Sequence, residues 1–233
     1  MIGIIGAMSG EVQGLKELLQ DVTVTEKSGM QFYSGKLHGN EVIVVQSGVG
    51  KVNAGICAAL LIHIFGADVL INTGIAGSLN NLIDIGDVVL STDAVQHDVD
   101  ATGFGKYPYG QIPGLDTFSF KADRKLLSIA EEACLEVNHS VKVFRGRVVS
   151  GDQFISDKAK KQWLATNFGA YCTEMEGAAI AQAAYLSKIP FIIVRVISDK
   201  ADDSSKVDYP EFERKAIEYS VRLTNEIIKN IRK

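Results

Sequence analysis

Two rhythms of apolar and polar positions run along the chain. Short, nearly continuous apolar runs at residues 1–5, 69–72, 87–91, 94–99, 141–149 and 191–197 have the length and composition of buried strands. Between them, residues 11–20 place Val12, Leu15, Leu18 and Leu19 at the spacing of one helix face. Residues 51–65, 122–137, 157–167, 176–187 and 209–229 read as further helices. Residues 31–38 and 41–46 read as a hairpin turning at Gly39-Asn40. Residues 102–117 form a long loop rich in glycine, proline and aromatic side chains. Alternating strands and helices predict an α/β fold. We expect a single three-layer α/β/α domain over residues 1–233, with a central twisted mixed sheet. In such sheets ligands gather at the carboxyl ends of the strands.

Composition narrows the partners. The 24 basic and 28 acidic side chains give a formal charge of −4, with no basic stripe, which argues against a nucleic-acid partner. No apolar run reaches the roughly 18 residues of a membrane helix. The amino terminus lacks the basic region of a signal peptide. Cys57, Cys134 and Cys172 are isolated and odd in number, as expected of small apolar residues in a reducing, cytoplasmic setting. The 22 glycines against 4 prolines imply tight turns, or backbone that something approaches closely.

The chemistry lies where the apolar runs stop. They lead into Gly6-Ala7-Met8 and then Glu11, into Ser47-Gly-Val-Gly-Lys51, into Thr73-Gly-Ile-Ala-Gly77, into Ser150-Gly-Asp-Gln-Phe-Ile155 and into Ser198-Asp199. None of these has the spacing of a dinucleotide or triphosphate loop, so no cofactor is expected. His97, Asp98 and Asp100 lack the further ligands that a metal site needs, so no metal is expected either. Arg195 lies within an apolar strand, where a guanidinium must be paired. It fits a structural ion pair or a functional site. Glu174 and Glu176 stand two apart. In extended backbone they share a face, and one of them suits a sugar diol; equally, they could decorate a helix amino terminus. Asp199, after a buried strand, fits a helix cap or turn, and Glu11 lies near a helix start, where an acid is favoured.

Taken in order, six segments resemble the 5′-methylthioadenosine/S-adenosylhomocysteine nucleosidases, the hydrolytic branch of the purine nucleoside phosphorylase-like superfamily. They are Gly3-Ile-Ile-Gly-Ala-Met with Glu11-Val12, Ser47-Gly-Val-Gly-Lys-Val52, Asn72-Thr-Gly-x-Ala-Gly77, Ser150-Gly-Asp-x-Phe-Ile155, Glu174-Met-Glu-Gly177 and Arg195-x-x-Ser-Asp199. The resemblance spans nearly the whole chain and implies the corresponding fold. It implies hydrolysis of an N-glycosidic bond with release of adenine, in methionine salvage. Asp199 then matches the acid that protonates purine N7, and Glu11 the base that activates water. Glu174 and Arg195 match positions that help to hold that water. Glu176 matches the ribose-binding carboxylate, Met175 the residue packed on the sugar, and Phe154 and Ile155 the adenine slot. Gly77 matches a backbone position at the site. Met8, Val49, Phe104, Pro113 and Tyr209 match an apolar pocket for the 5′ substituent, built partly across a homodimer interface.

The chain departs from the pattern at Ile75, where many members have serine, and at Ser9-Gly10, where many carry acids. Gln96-His-Asp-Val-Asp100 also resembles relatives that cleave 6-amino-6-deoxyfutalosine. A phosphorylase of the same superfamily and a non-catalytic nucleoside-binding module are the rival readings. A phosphorylase needs donors that clamp phosphate. The glycine-rich ends carry no arginine besides Arg195, which favours hydrolysis.

Overall fold

The computed structural model describes residues 1–231. Among these, ten strands form one mixed sheet: β1 (Ile2–Gly6), β2 (Gln20–Lys27), β3 (Met30–Leu37), β4 (Asn40–Gln46), β5 (Val69–Ser78), β6 (Val88–Gln96), β7 (Phe120–Lys121), β8 (Val143–Ser150), β9 (Ala170–Glu174) and β10 (Phe191–Asp199). Six α-helices cover it: α1 (Ser9–Leu18), α2 (Lys51–His63), α3 (Arg124–Val137), α4 (Lys158–Phe168), α5 (Gly177–Ser187) and α6 (Ser205–Asn230). The order along the sheet is β10-β6-β8-β9-β5-β1-β4-β3-β2. β10 also pairs with β5, so five of these strands close into a ring and the rest extend from it.

Apolar periodicity decides the layers. Val12 and Leu15 of α1, Leu126 and Ala130 of α3, and Leu223 and Ile227 of α6 pack on one face with Ile4, Ile71 and Val194. Ala54, Cys57 and Leu61 of α2 and the small residues of α5 pack on the other, with Ile5, Leu70 and Ile193. Burying an aliphatic side chain contributes roughly 1.5–3 kcal/mol, so these two layers are what hold the strand ends together.

The α/β reading matches, and several boundaries move. The hairpin turns at His38-Gly39, both at positive φ, rather than at Gly39-Asn40. Asn40 begins β4 opposite Leu37, and its side-chain amide donates to the Ile228 carbonyl of α6 at 2.9 Å. The runs at 87–91 and 94–99 are one strand, β6. β2 is exposed along most of its length, so it carries no apolar signature. β9 is five residues long and escapes the periodicity for that reason. Most important for the site, β5 does not stop at Asn72. It continues through the glycine motif to Ser78, pairing with β10 on one side and β9 on the other.

Candidate active site

Carboxylates from three distant segments meet at one cavity of about 120 Å³. Its walls include Met8, Glu11, Val49, Gly77, Phe154, Thr173, Glu174, Met175, Glu176, Asp199 and Tyr209. A smaller recess continues from it along Gly77, Gln153, Phe154, Ile155, Thr173 and Asp199.

Glu11 sits at the third position of α1 and folds back over the helix start. Its Oε2 accepts from the amides of Ala7 at 2.7 Å and Met8 at 2.9 Å, as capping-box glutamates do. Its Oε1 accepts from the Ile75 amide of β5 at 3.2 Å. The carboxylate presses so closely on Gly74 that a Cβ there would collide with it. Burial raises the Glu11 pKa, against the opposing pull of Arg195 and the three amides.

Glu174 and Glu176 do not act as an extended pair, because β9 ends at Glu174 and α5 starts at Gly177. Glu174 turns inward. Its Oε2 accepts from Arg195 Nη2 at 2.6 Å and from the Gly177 and Glu176 amides at 2.7 and 3.2 Å; its Oε1 accepts from Ser150 Oγ. It therefore caps α5 and neutralises the buried arginine together, so the helix-start and ion-pair readings are both realised. Arg195, 2 % exposed, also donates to the Asn72 side chain and to the carbonyls of Asn72 and Val194. It lies beneath the cavity and is not part of its walls. Glu176 points elsewhere, accepting from the Gly50 amide at 2.8 Å. Burial, reinforced by the charge of Glu174, pushes its pKa up to about 7.

Asp199 ends β10 after a bulge and pairs in register with Gly77. A Cβ at Gly77 would lie 2.9 Å from Asp199 Oδ1. That oxygen accepts from the Ala201 amide at 2.7 Å and from Ser205 Oγ at 2.8 Å, while Oδ2 accepts from Ser198 Oγ at 2.9 Å. With Ile75 in the neighbouring strand unable to donate from its side chain, Ser198 and Ser205 supply the hydroxyls. Ser205 went unnoticed in the sequence because α6 begins four residues before the predicted start at Tyr209.

The apolar wall is assembled from three segments. The Phe154 and Tyr209 rings meet edge to face at 5.6 Å, and Tyr209 Oη lies 3.6 Å from Met8 Sδ. Phe104 and Pro113 do not reach the cavity. Phe104 is 74 % exposed, in a short 3-10 turn at Thr102–Phe104, and Pro113 is exposed in the following loop. Among the described residues no cluster of three or more His, Cys, Asp or Glu could hold a metal ion, and no helix is long and apolar enough to cross a membrane.

Comparison with known proteins agrees along the whole length. The sequence pattern of the phosphorylase superfamily matches residues 1–229. A 5′-methylthioadenosine/S-adenosylhomocysteine nucleosidase of Bacillus velezensis is 42 % identical over 231 residues, 99 % of each chain. The crystal structure of the nucleosidase of that name from Neisseria meningitidis, in complex with methylthio-immucillin-A, superposes with a TM-score of 0.94 at 36 % identity, covering 99 % of each chain. The futalosine hydrolase of Helicobacter pylori superposes with a TM-score of 0.93 at 32 % identity, covering 99 % of this chain and 97 % of that one. With identity of this order sustained from end to end, the chain belongs to the 5′-methylthioadenosine/S-adenosylhomocysteine nucleosidase family of the phosphorylase superfamily.

Proposed function

We propose that this protein hydrolyses the N-glycosidic bond of 5′-methylthioadenosine and S-adenosylhomocysteine to adenine and the thioribose, as a single nucleosidase domain. The observation that carries this reading is the convergence of Glu11, Glu176 and Asp199 on one cavity that also holds Phe154 and Met175. Asp199 gives a proton to purine N7, so that the base leaves neutral. The sugar passes through an oxocarbenium-like state, as in other glycoside cleavage. Glu11 takes a proton from the attacking water; a carboxylate made more basic by burial suits that task. Glu176 accepts from the ribose hydroxyls, with Met175 against the sugar. Phe154 stacks on the base, Ile155 offers backbone to it, and Glu174, held by Arg195, orients the water.

Water rather than phosphate is the acceptor in this reading. No described lysine or arginine lines the cavity, and Arg195 is committed to Glu174 and Asn72. A phosphate clamp would need such donors. Methionine salvage is the setting these substrates imply. The cytoplasm fits the three buried free cysteines. A homodimer would let a partner subunit complete the 5′ pocket with its Phe104 and Pro113.

Incubating the protein with methylthioadenosine, with and without phosphate, tests this directly. Adenine should appear equally in both. A phosphate requirement would establish phosphorolysis, and no adenine in either would remove the enzyme reading for this substrate. Adding 6-amino-6-deoxyfutalosine as a third substrate tests the second reading, which rests on the similarity to the Helicobacter pylori hydrolase.

A further inference from the structure

Position 161 carries a charge where the helix pattern calls for an apolar side chain. Lys161, Leu164 and Phe168 are the buried residues of α4, at the spacing of one helix face. Leu164 and Phe168 pack in an apolar cluster with Ile155 and Ala201. Lys161, 8 % exposed, instead donates from Nζ to Asp202 Oδ2 at 3.0 Å. A largely shielded ion pair is a poor source of stability, since well-packed apolar side chains often serve as well or better. Its purpose lies in what Asp202 holds.

Asp202 organises the turn between β10 and α6. Its Oδ1 accepts from the Ser204 amide at 3.1 Å and from Ser204 Oγ at 2.9 Å. Its carbonyl accepts from the Ser205 amide at 2.9 Å, and its own amide donates to Ser205 Oγ at 2.9 Å. That last bond sets the direction of the hydroxyl. With its oxygen taken by the Asp202 amide, Ser205 turns its proton to Asp199 Oδ1, 2.8 Å away. The same Oδ1 accepts from the amide of Ala201, which stands at φ +51° and is fully buried. A left-handed alanine costs about 1 kcal/mol and persists only where its surroundings hold it. Two of the three groups that grip Asp199 thus belong to one strained segment, residues 201–205, and Lys161 ties that segment to α4.

We infer that Lys161 is a positioning residue for the Asp199 carboxyl, acting through Asp202. This rests on the nucleosidase reading and adds to it a residue outside the cavity walls. Without the ammonium, Asp202 has no counter-charge on α4, and the turn is free to leave its left-handed conformation. Ala201 and Ser205 then lose their aim on Oδ1, and the carboxyl loses its fixed place. Proton transfer to a bound base depends steeply on such placement. Nucleoside binding in the same reading draws on Phe154, Met175 and Glu176, and is unaffected.

The test is a double-mutant cycle in the adenine-release assay, using the full chain. Lys161→Met removes the charge and keeps a long side chain; it should lower kcat roughly tenfold while KM for methylthioadenosine stays within about twofold. Asp202→Asn should do the same, and Lys161→Arg should keep kcat within about threefold of wild type, because it restores the pair. In a chain already carrying Asp199→Asn, Lys161→Met should change kcat by less than about twofold, because the group it serves is gone. A loss of equal size in both backgrounds would make Lys161 structural and the inference wrong. A Lys161→Met protein with wild-type kcat would overturn it as well. Should Lys161→Met not fold, Asp202→Asn, alone and combined with Asp199→Asn, decides the same question. A wild type that releases no adenine would remove the nucleosidase reading and this inference with it. Release by the wild type keeps that reading standing, whatever the variants do.

Discussion

At the scale of single residues, Glu11, Glu176 and Asp199, three of the four carboxylates lining the cavity, differ because their surroundings differ. Glu11 is gripped by three backbone amides and Asp199 by two serine hydroxyls and one amide. Replacing either by its amide keeps the shape and removes the proton chemistry. Asp199→Asn and Glu11→Gln should each lower kcat by at least about a hundredfold, the usual span of general acid–base groups, in the adenine-release assay. Near-native turnover in either variant would remove its assigned role. Glu176 makes a different prediction, because its pKa is pushed up to about 7 from an ordinary 4.5. The folded protein holds a proton that the unfolded chain has already released between those two values. Stability is thus unaffected below about pH 4.5, falls as pH rises towards 7, and stays lower above it. Glu176→Gln should relieve this by something on the order of 1–3 kcal/mol, raising Tm by several degrees at pH 8 and hardly at all at pH 4. The same variant should bind nucleoside poorly, since a carboxylate acceptor for the ribose hydroxyls is gone. In wild type, KM should rise as pH falls through about 7. A Glu176→Gln protein with unchanged Tm at pH 8 would contradict the assignment.

At the scale of elements, the glycines separate into two kinds. Gly39 sits at φ +75° in the β3–β4 turn, and a Cβ there would meet nothing within 4 Å. Gly77 lies inside β5, where a Cβ would lie 2.8 Å from Ala201 Cβ and 2.9 Å from Asp199 Oδ1. Gly39→Ala should therefore lose about 1–2 kcal/mol from the left-handed backbone and keep its kcat, whereas Gly77→Ala should displace Asp199 and lose activity. Measuring Tm and kcat for both tests the division; a fully active Gly77→Ala would refute it. The glycine surplus was legible in the sequence, but its purpose was only half legible. Composition alone leaves two readings, tight turns or backbone that something approaches closely. In the structure, Gly74 and Gly77 are strand residues, and what approaches them is the protein's own carboxylates. Periodicity showed the buried strands because Ile, Val and Leu mark them. It did not show that β5 runs on through Thr73-Gly-Ile-Ala-Gly77, because glycine weakens every strand signal. Ser205 was invisible for a related reason. It matters through Asp199, which only the start of α6 brings near.

At the scale of the whole molecule, the cavity is unfinished on its apolar side. Val49 and Phe154 line it yet remain 49 % and 54 % exposed. Val52 and Ile56 continue the apolar surface along one face of α2, four residues apart. The start of α2 is tied to the Phe154 loop, because the Lys51 amide donates to Asp152 at 2.8 Å. An apolar surface of this kind at the mouth of a site calls for a cover, and Phe104 is a large aromatic ring exposed in a loop of the same chain. If two copies pair so that Phe104 of each closes the cavity of the other, light scattering should report twice the mass of one chain. Phe104→Ala should then raise KM for methylthioadenosine roughly tenfold or more, as expected when a buried aromatic contact is lost, while leaving the affinity for free adenine unchanged. The decisive experiment is complementation. Co-expressing a Phe104→Ala chain with an Asp199→Asn chain, each carrying its own affinity tag, yields mixed dimers. One site of each mixed dimer would combine the intact Asp199 of the first chain with the intact Phe104 of the second. Such dimers should show the wild-type KM with about half the wild-type turnover per dimer, although each parent alone is impaired. If Phe104 acted within its own chain, every site in the mixture would carry one defect, and the wild-type KM would not return.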